Sequence, residues 1–342
     1  MALKLRPLEL GELIDRAFTL WRAHWKTLFP LVLGFQLVTY AMTKALAIFA
    51  NERFPLMNQG GEAMTEAYRN NRGEAWLQLA GLLGASSITM LVLLWVSTVS
   101  STAQSHWLYP TVVGGPALSL REAFAAAMKK LGRISAASLW AAVWTVAFSA
   151  LLMLPGGLML GLGMYLLRAT QEALAPVGAI VLIIATLVML AGIAIALLWS
   201  LIRFSVISQV LALENLSGWG TFRRCGALTS GRITAGFFGF VKVRLAVLVT
   251  LTGVLLILIN QLAGAPVWVL YGIYGNGFDL QNLRLEQIPP YFLVPAELLQ
   301  HTVMSVVLPV YTATQLLFYV DVRVRREGLD LQLKLDETKA AA

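Results

Sequence analysis

The chain runs to 342 residues, of which 58% are hydrophobic and only 13% charged, and it carries a formal net charge of +8. An ordinary soluble domain has roughly 25% charged residues, so this chain has too little polar surface to enclose a globule in water, and much of its solvent must be lipid. A single cysteine, Cys225, excludes an internal disulfide and a cysteine-based metal site, and three histidines add little to that inventory.

Residues 8–26 are amphipathic and charged throughout. A cleaved leader would show basic, apolar and small-residue blocks in sequence, so the first span is expected to be retained. Leu10, Leu13, Ile14, Ala17, Phe18 and Trp21 recur at helical spacing on one face, and Glu12, Asp15, Arg16 and Arg22 lie on the other. A membrane helix needs about 20 mostly apolar residues, and six such stretches follow at about 27–50, 76–104, 135–166, 176–211, 237–264 and 291–319. The third and fourth exceed the bilayer thickness, which tilt, a kink or an interfacial extension absorbs. Pro155-Gly156-Gly157 is expected to break the third, and Pro309 to bend the sixth near mid-membrane.

The amphipathic pattern before the first span returns before the third. Leu120, Ala123, Phe124, Ala127, Met128 and Leu131 repeat its spacing, with Arg121, Lys129 and Lys130 outside the stripe, and Ser119-Leu-Arg-Glu122 reads as a capping box. A third copy at 217–230 keeps Phe222, Arg223 and Arg224, with the stripe degraded by Gly218, Gly226 and Thr229. The expected fold is therefore an all-α membrane protein of six transmembrane helices. It forms three repeats of an amphipathic interfacial helix plus a transmembrane hairpin, at about 8–108, 117–213 and 214–322, in one domain over 1–342 with a cytoplasmic tail at 323–342.

Lys and Arg in the connections set the orientation. Eighteen of the 26 lie in residues 1–26, 107–135, 203–232 and 321–342, against five in the alternate connections. Both termini are thus expected in the cytoplasm, with the chain in the cell's inner membrane. The same bias accounts for the basic charge without nucleic acid. Arg16, Arg22, Lys129, Lys130, Arg223 and Arg224 become candidates for contact with anionic lipid at the cytoplasmic face or with a membrane-protein partner. Equally, such flanks serve to fix topology alone.

Polar residues inside spans are costly and face the bundle or a cavity. Glu297, His301, Ser305, Thr312, Gln315 and Tyr319 share one face of the sixth span, and Ser97, Ser100, Ser101 and Gln104 run along the second. Glu297, His301, Ser305 and Gln315 form the candidate intramembrane polar site, although Ser, Thr and Gln commonly join helices. Glu297 and His301 stand one turn apart and are positioned to pair, and Lys44 is expected to snorkel. Gly157 and Gly161 make a small-xxx-small pattern suited to helix contact. The outer connections, 51–75 and 265–290, are too short for further domains. Leu329, Leu331, Leu333 and Leu335 alternate with polar residues, as do Leu3 and Leu5, and read as short extended segments, with Gly328 ending the sixth helix.

The opening Leu5-Arg-Pro-Leu-Glu-Leu-Gly-Glu-Leu-Ile-Asp-Arg-Ala-Phe18, the central Ala212-Leu-Glu-Asn-Leu-Ser-Gly218 leading to Arg223-Arg224, and the closing Tyr319-Val-Asp-Val-Arg-Val-Arg-Arg-Glu-Gly-Leu-Asp330 carry a resemblance. Together they resemble bacterial multi-pass proteins labelled glycerophosphoryl diester phosphodiesterase membrane domain. The resemblance implies a membrane module without the separate catalytic barrel. Consistent with that, His24, His106 and His301 lack a following Arg or a carboxylate cluster. No cofactor or metal is expected. The function expected is a non-catalytic scaffold or accessory in envelope or lipid-related processes. The alternative is a permease or a lipid or small-solute transporter with a polar path along the second and sixth spans.

Overall fold

A computed structural model describes residues 6–53, 72–116, 118–168, 175–233, 235–274 and 288–341, so Leu3 and Leu5 lie outside it. The described residues are helical apart from short connections, with one isolated antiparallel bridge between Arg232 and Phe240. In chain order the helices are α1 (Leu10–Arg53), α2 (Arg72–Val113), α3 (Leu120–Lys129), α4 (Leu131–Arg168) and α5 (Ala175–Phe204). They continue as α6 (Ile207–Leu213), α7 (Gly218–Thr229), α8 (Val241–Ala263), α9 (Ala265–Tyr274), α10 (Pro290–Glu327) and α11 (Leu329–Ala341). Six of these segments are long and apolar enough to cross a membrane, each near a stretch expected from sequence.

Large apolar side chains on their outer faces are open, among them Leu77, Met90, Val146, Leu158, Ile183, Leu187 and Leu262. Exposed apolar patches of this extent do not occur on water-soluble monomers. A bilayer is the medium that accommodates them.

The chain packs as two compact units, residues 1–131 with 247–342, and residues 132–246. In the first, α10 is the central helix and lies against α1, α2, α9 and α11. Its apolar window is 67% buried, while no other span exceeds 17%. That is why its sequence departs from a lipid-facing one: from Val310 to Val322 all but Tyr311 are buried, including Thr312, Thr314, Gln315 and Asp321. The helix runs unbroken through Pro309. Proline removes the donor to the carbonyl four residues earlier, that of Ser305, and crowds that turn; the neighbouring Val306 carbonyl accepts from the indole N–H of Trp21 at 2.7 Å.

The amphipathic stretches behave differently from one another. Leu10–Trp21 is not set off as a separate helix but is continuous with the first span in the 44-residue α1. Its stripe still works as expected, because Leu13 and Ala17 are fully buried. The second stretch forms the distinct α3, and its capping box is present. Ser119 Oγ accepts from the Glu122 N–H at 3.2 Å, and Glu122 Oε2 accepts from the Ser119 N–H at 2.8 Å. This hydrogen bond from the Ser119 backbone holds the Glu122 carboxyl below its ordinary pKa. The third stretch forms α7, started by Ser217 Oγ accepting from the Gly220 N–H at 3.1 Å.

In the second unit, α4 and α5 form a hairpin whose contact is built from glycines. A Cβ on Gly156 would collide with Met189, one on Gly163 with Leu182, one on Gly178 with Leu167 and one on Gly192 with the Leu152 carbonyl at 2.8 Å. In lipid, tails are as apolar as leucine, so helices gain by close approach rather than by burial from water. The expected contact pair, Gly157 and Gly161, faces open space instead. A spacing rule cannot choose between neighbouring glycines on different faces. The expected break at Pro155 is also absent, since α4 continues to Arg168. The bond lost at Pro155 opens no gap in the helix.

Within the expected outer connection, residues 265–274 form the short apolar helix α9, which is not long enough to be a span. One further expectation is corrected. Leu329, Leu331, Leu333 and Leu335 are not extended but lie in α11, entered through Gly328 at φ +62°. That left-handed glycine ends α10 as anticipated. The chain resumes helix at once because the Gly328 carbonyl accepts from the Leu331 and Gln332 N–H groups.

Candidate functional site

In the first unit, the candidate polar site on α10 is occupied by partners from α1. Glu297 Oε1 accepts from Lys44 Nζ at 2.6 Å, and Glu297 Oε2 accepts from the Tyr40 hydroxyl at 3.2 Å. His301 does not pair with Glu297. Its Nδ1 lies 3.0 Å from Gln36 Oε1, and its ring meets Tyr40 edge-on at 5.3 Å. Helical periodicity explains the pattern, because Gln36, Tyr40 and Lys44 are spaced at i, i+4 and i+8 and climb α1 beside residues 297–301 of α10. Lys44 therefore forms an ion pair rather than snorkelling away from its neighbours.

The remaining members are also tied into helices. Ser305 Oγ donates to the His301 carbonyl at 2.7 Å, and one turn away Gln300 Nε2 donates to Asn260 Oδ1 of α8 at 3.0 Å. Gln315 is buried deeper in α10. In α2, Gln104 Nε2 donates to Ser100 Oγ at 3.1 Å, whereas Gln104 Oε1, and Thr312 Oγ1 of α10, are buried without a hydrogen-bond partner among the described residues.

The basic candidates separate into paired and open groups. Arg16 donates to Glu12 at 2.7 Å, an acid it shares with Arg6, and Arg224 donates to Glu214 at 2.9 Å. Arg22, Lys129 and Arg223 are exposed, while Lys130 is half-buried. The sequence pattern weighted all six alike. Only the acids nearby in space divide them.

The second unit holds a cavity that sequence reasoning did not assemble. About 310 Å³ in volume, it is lined by Trp199, Ile202 and Arg203 at the end of α5, Arg223, Gly226 and Thr229 of α7, Ser230, and Lys242 at the start of α8. Arg203 enters it through an aromatic box. Its guanidinium carbon lies 4.8 Å from the ring centroid of Trp199, 5.1 Å from those of Trp144 and Phe222, and 5.9 Å from that of Phe204. Trp144 and Trp199 stack on each other, and Trp219 stacks on Phe222. Helix α7 closes on the guanidinium at Gly226, where a Cβ would stand 3.0 Å from an Arg203 terminal nitrogen. Arg203 Nε is buried and without a hydrogen-bond partner among the described residues.

Beside this cavity, Cys225 is fully buried and its thiol is pushed up to about 12, chiefly by loss of solvent, which leaves it protonated and unreactive. No group of three or more His, Cys, Asp or Glu suited to a metal occurs among the described residues. Comparison with known proteins returns no matching family model, curated protein or solved structure.

Proposed function

We propose that this chain is a non-catalytic multi-pass protein of a bacterial inner membrane, with both termini in the cytoplasm. In this reading its basic amphipathic helices engage anionic lipid at the cytoplasmic face, and the protein serves as a scaffold or accessory in envelope or lipid-related processes. The three-repeat organisation and the kinship with the phosphodiesterase membrane-domain proteins belong to the same proposal. The observation that carries it is a contrast. Glu297 and His301, the polar groups best placed for a transport path, are consumed by Lys44, Tyr40 and Gln36, whereas Arg22, Lys129 and Arg223 stay exposed.

Engagement of this kind contributes about 1 kcal/mol per basic residue near an anionic surface. Three open cations suffice for a preference that lipid composition and salt modulate. The test is reconstitution in vesicles of mixed composition, with lipid annular preference and solute or lipid flux measured on the same sample. The reading expects enrichment of anionic lipid around the protein and flux no greater than in empty vesicles.

The runner-up reading, a permease or lipid transporter, draws on Gln104 Oε1 of α2 and Thr312 Oγ1 of α10, which are buried without hydrogen-bond partners among the described residues. Flux that disappears in Glu297→Ala or Thr312→Val would establish that reading and displace the first.

A further inference from the structure

We propose that the cavity of Arg203, Arg223 and Lys242 is a binding site for a phosphate-class anion, presented by a lipid headgroup at the membrane interface. The inference rests on the lipid-engaging reading above and assigns it a specific site and ligand class.

The first argument is uncompensated charge. Three cationic side chains line one cavity of about 310 Å³. Among the described residues of this unit the only carboxylate is Glu214, and it is bound to Arg224. None of Arg203, Arg223 and Lys242 has an ion-pair partner among the described residues. Like charges brought together without an acid repel one another, and an anion in their midst removes that repulsion.

The second argument is the setting of Arg203. Aromatic faces attract a guanidinium but supply no hydrogen-bond acceptor. The box thus holds the cation while leaving its N–H donors for an oxygen ligand, and Nε is already out of solvent without an acceptor. A planar guanidinium held from behind is the geometry that favours two-point contact with a phosphate. The ammonium of Lys242, 5.9 Å from the Trp199 ring centroid, adds a further cation to the lining, whereas the hydroxyls of Thr229 and Ser230 donate to the Cys225 and Ala227 carbonyls and do not contribute donors to the site.

The third argument identifies how the anion is delivered. Ser230 and Lys242, both in the lining, are joined by a loop that folds back on itself. The Ile233 N–H donates to the Gly239 carbonyl, and the Val241 N–H donates to the Gly231 carbonyl. At its tip Phe237 and Phe238 are 68% and 60% exposed, followed by Phe240 with Arg232 stacked 4.3 Å from its ring centroid. Open aromatics flanked by cations sit naturally at the headgroup level of a bilayer. Lying at the end of α5 and the start of α8, both of which belong to membrane-spanning segments, the cavity stands where phosphates are found. A free anion in water would need no such aromatic tip.

The test uses the full-length protein in neutral detergent. Native mass spectrometry and the fluorescence of the boxed tryptophans follow titrations with short-chain phosphatidic acid, phosphatidylglycerol, phosphatidylcholine and inorganic phosphate. The expected result is at least tenfold tighter binding of the two anionic lipids than of phosphatidylcholine, and at least a tenfold loss in Arg223→Gln with Lys242→Gln. Both of these side chains are exposed, so the double variant keeps the packed box and folds. Arg53→Gln, at the end of α1 and outside both the cavity and the basic lipid-facing candidates, serves as the matched control and leaves binding unchanged.

If the anionic preference survives the cavity double variant and falls only with Lys129→Gln and Arg22→Gln, the site is refuted while the broader reading stands. Absence of any anionic preference refutes both. Inorganic phosphate binding as tightly as the lipids, with the same loss in the double variant, keeps the anion class and overturns the headgroup as its source.

Discussion

Asp321 accepts the backbone N–H of Leu8 at 2.8 Å across 313 residues of sequence, and Arg325 closes the arrangement by donating to both the Asp321 carboxylate and the Leu8 carbonyl. The carboxylate is 1% exposed. A segment without helix of its own is thereby fixed to the end of α10 through its backbone. Removing one partner of a buried charge pair leaves the other uncompensated and costs about 3 to 5 kcal/mol. Asp321→Ala is expected to lower stability in detergent by that order. It should also release the stretch before α1 to proteolysis, read as faster cleavage after the exposed Glu9 by a glutamate-specific protease; unchanged cleavage would show that the clasp does not hold this stretch.

Between Lys44 and Glu297 the pair is only partly buried, at 34% and 18% side-chain exposure, so its coupling is modest. A double-mutant cycle with Lys44→Ala and Glu297→Ala is expected to give about 1 kcal/mol. Both single variants should lower the melting temperature in detergent. A coupling indistinguishable from zero would mean the two charges do not hold α1 to α10.

Glycines on the two faces of α4 make opposite predictions. Gly156→Ala or Gly192→Ala places a Cβ against α5 or α4 and is expected to destabilise by about 1 to 3 kcal/mol, the cost of overpacking. Gly157→Ala and Gly161→Ala meet open space and are expected to be neutral or to stabilise by up to about 1 kcal/mol, as in other helix interiors. Thermal unfolding followed by tryptophan fluorescence separates the two pairs, and a reversed order would assign the contact to the wrong face.

The thiol of Cys225 is pushed from 9.0 to about 12. At pH 8 its thiolate fraction falls on the order of a thousandfold below that of a free cysteine. Alkylation by iodoacetamide is therefore expected to be negligible in the folded protein and complete after unfolding. Because the folded value is raised, stability is undiminished below pH 9 and is lost as pH climbs toward the folded value. Rapid labelling of the native protein would contradict the burial.

At the start of α3, Ser119→Ala removes the hydroxyl cap and is expected to cost about 1 kcal/mol of helix stability. The Glu122 carboxyl, held low by the Ser119 backbone N–H, contributes its half of the box above the ordinary carboxylate range. That contribution disappears as pH falls through the lowered folded value. Amide protection factors at residues 119–123, corrected for the intrinsic pH dependence of exchange, should fall in the variant, and in the wild type at acid pH.

The six spans, the capping box and the left-handed Gly328 were legible in the sequence because each depends on local signals: an apolar run, a four-residue motif, a glycine after a periodic segment. The partners of Glu297 and His301 were not. Lys44 and Gln36 lie on a helix more than 250 residues earlier, and nothing in a local window selects them. Arg203 was hidden for another reason. Counted among flanking cations, it gave no sign that Trp144, Trp199 and Phe222 would converge on it from two other helices and its own. The alternation at 329–335 misled because period two marks a strand only where one face is buried. Here Leu331 and Leu335 are each 60% exposed, and the backbone followed the helix restarted after Gly328.

The glycine seam of α4 and α5 has a mechanical consequence. At Gly192 the approach is to the Leu152 carbonyl, and at Gly156, Gly163 and Gly178 a Met or Leu side chain already fills the space a Cβ would take, so sliding one helix past the other by small steps meets steric resistance. When the surrounding bilayer thins or thickens, that hairpin must answer by tilting as a single blade, carrying with it whatever is seated at the ends of its helices.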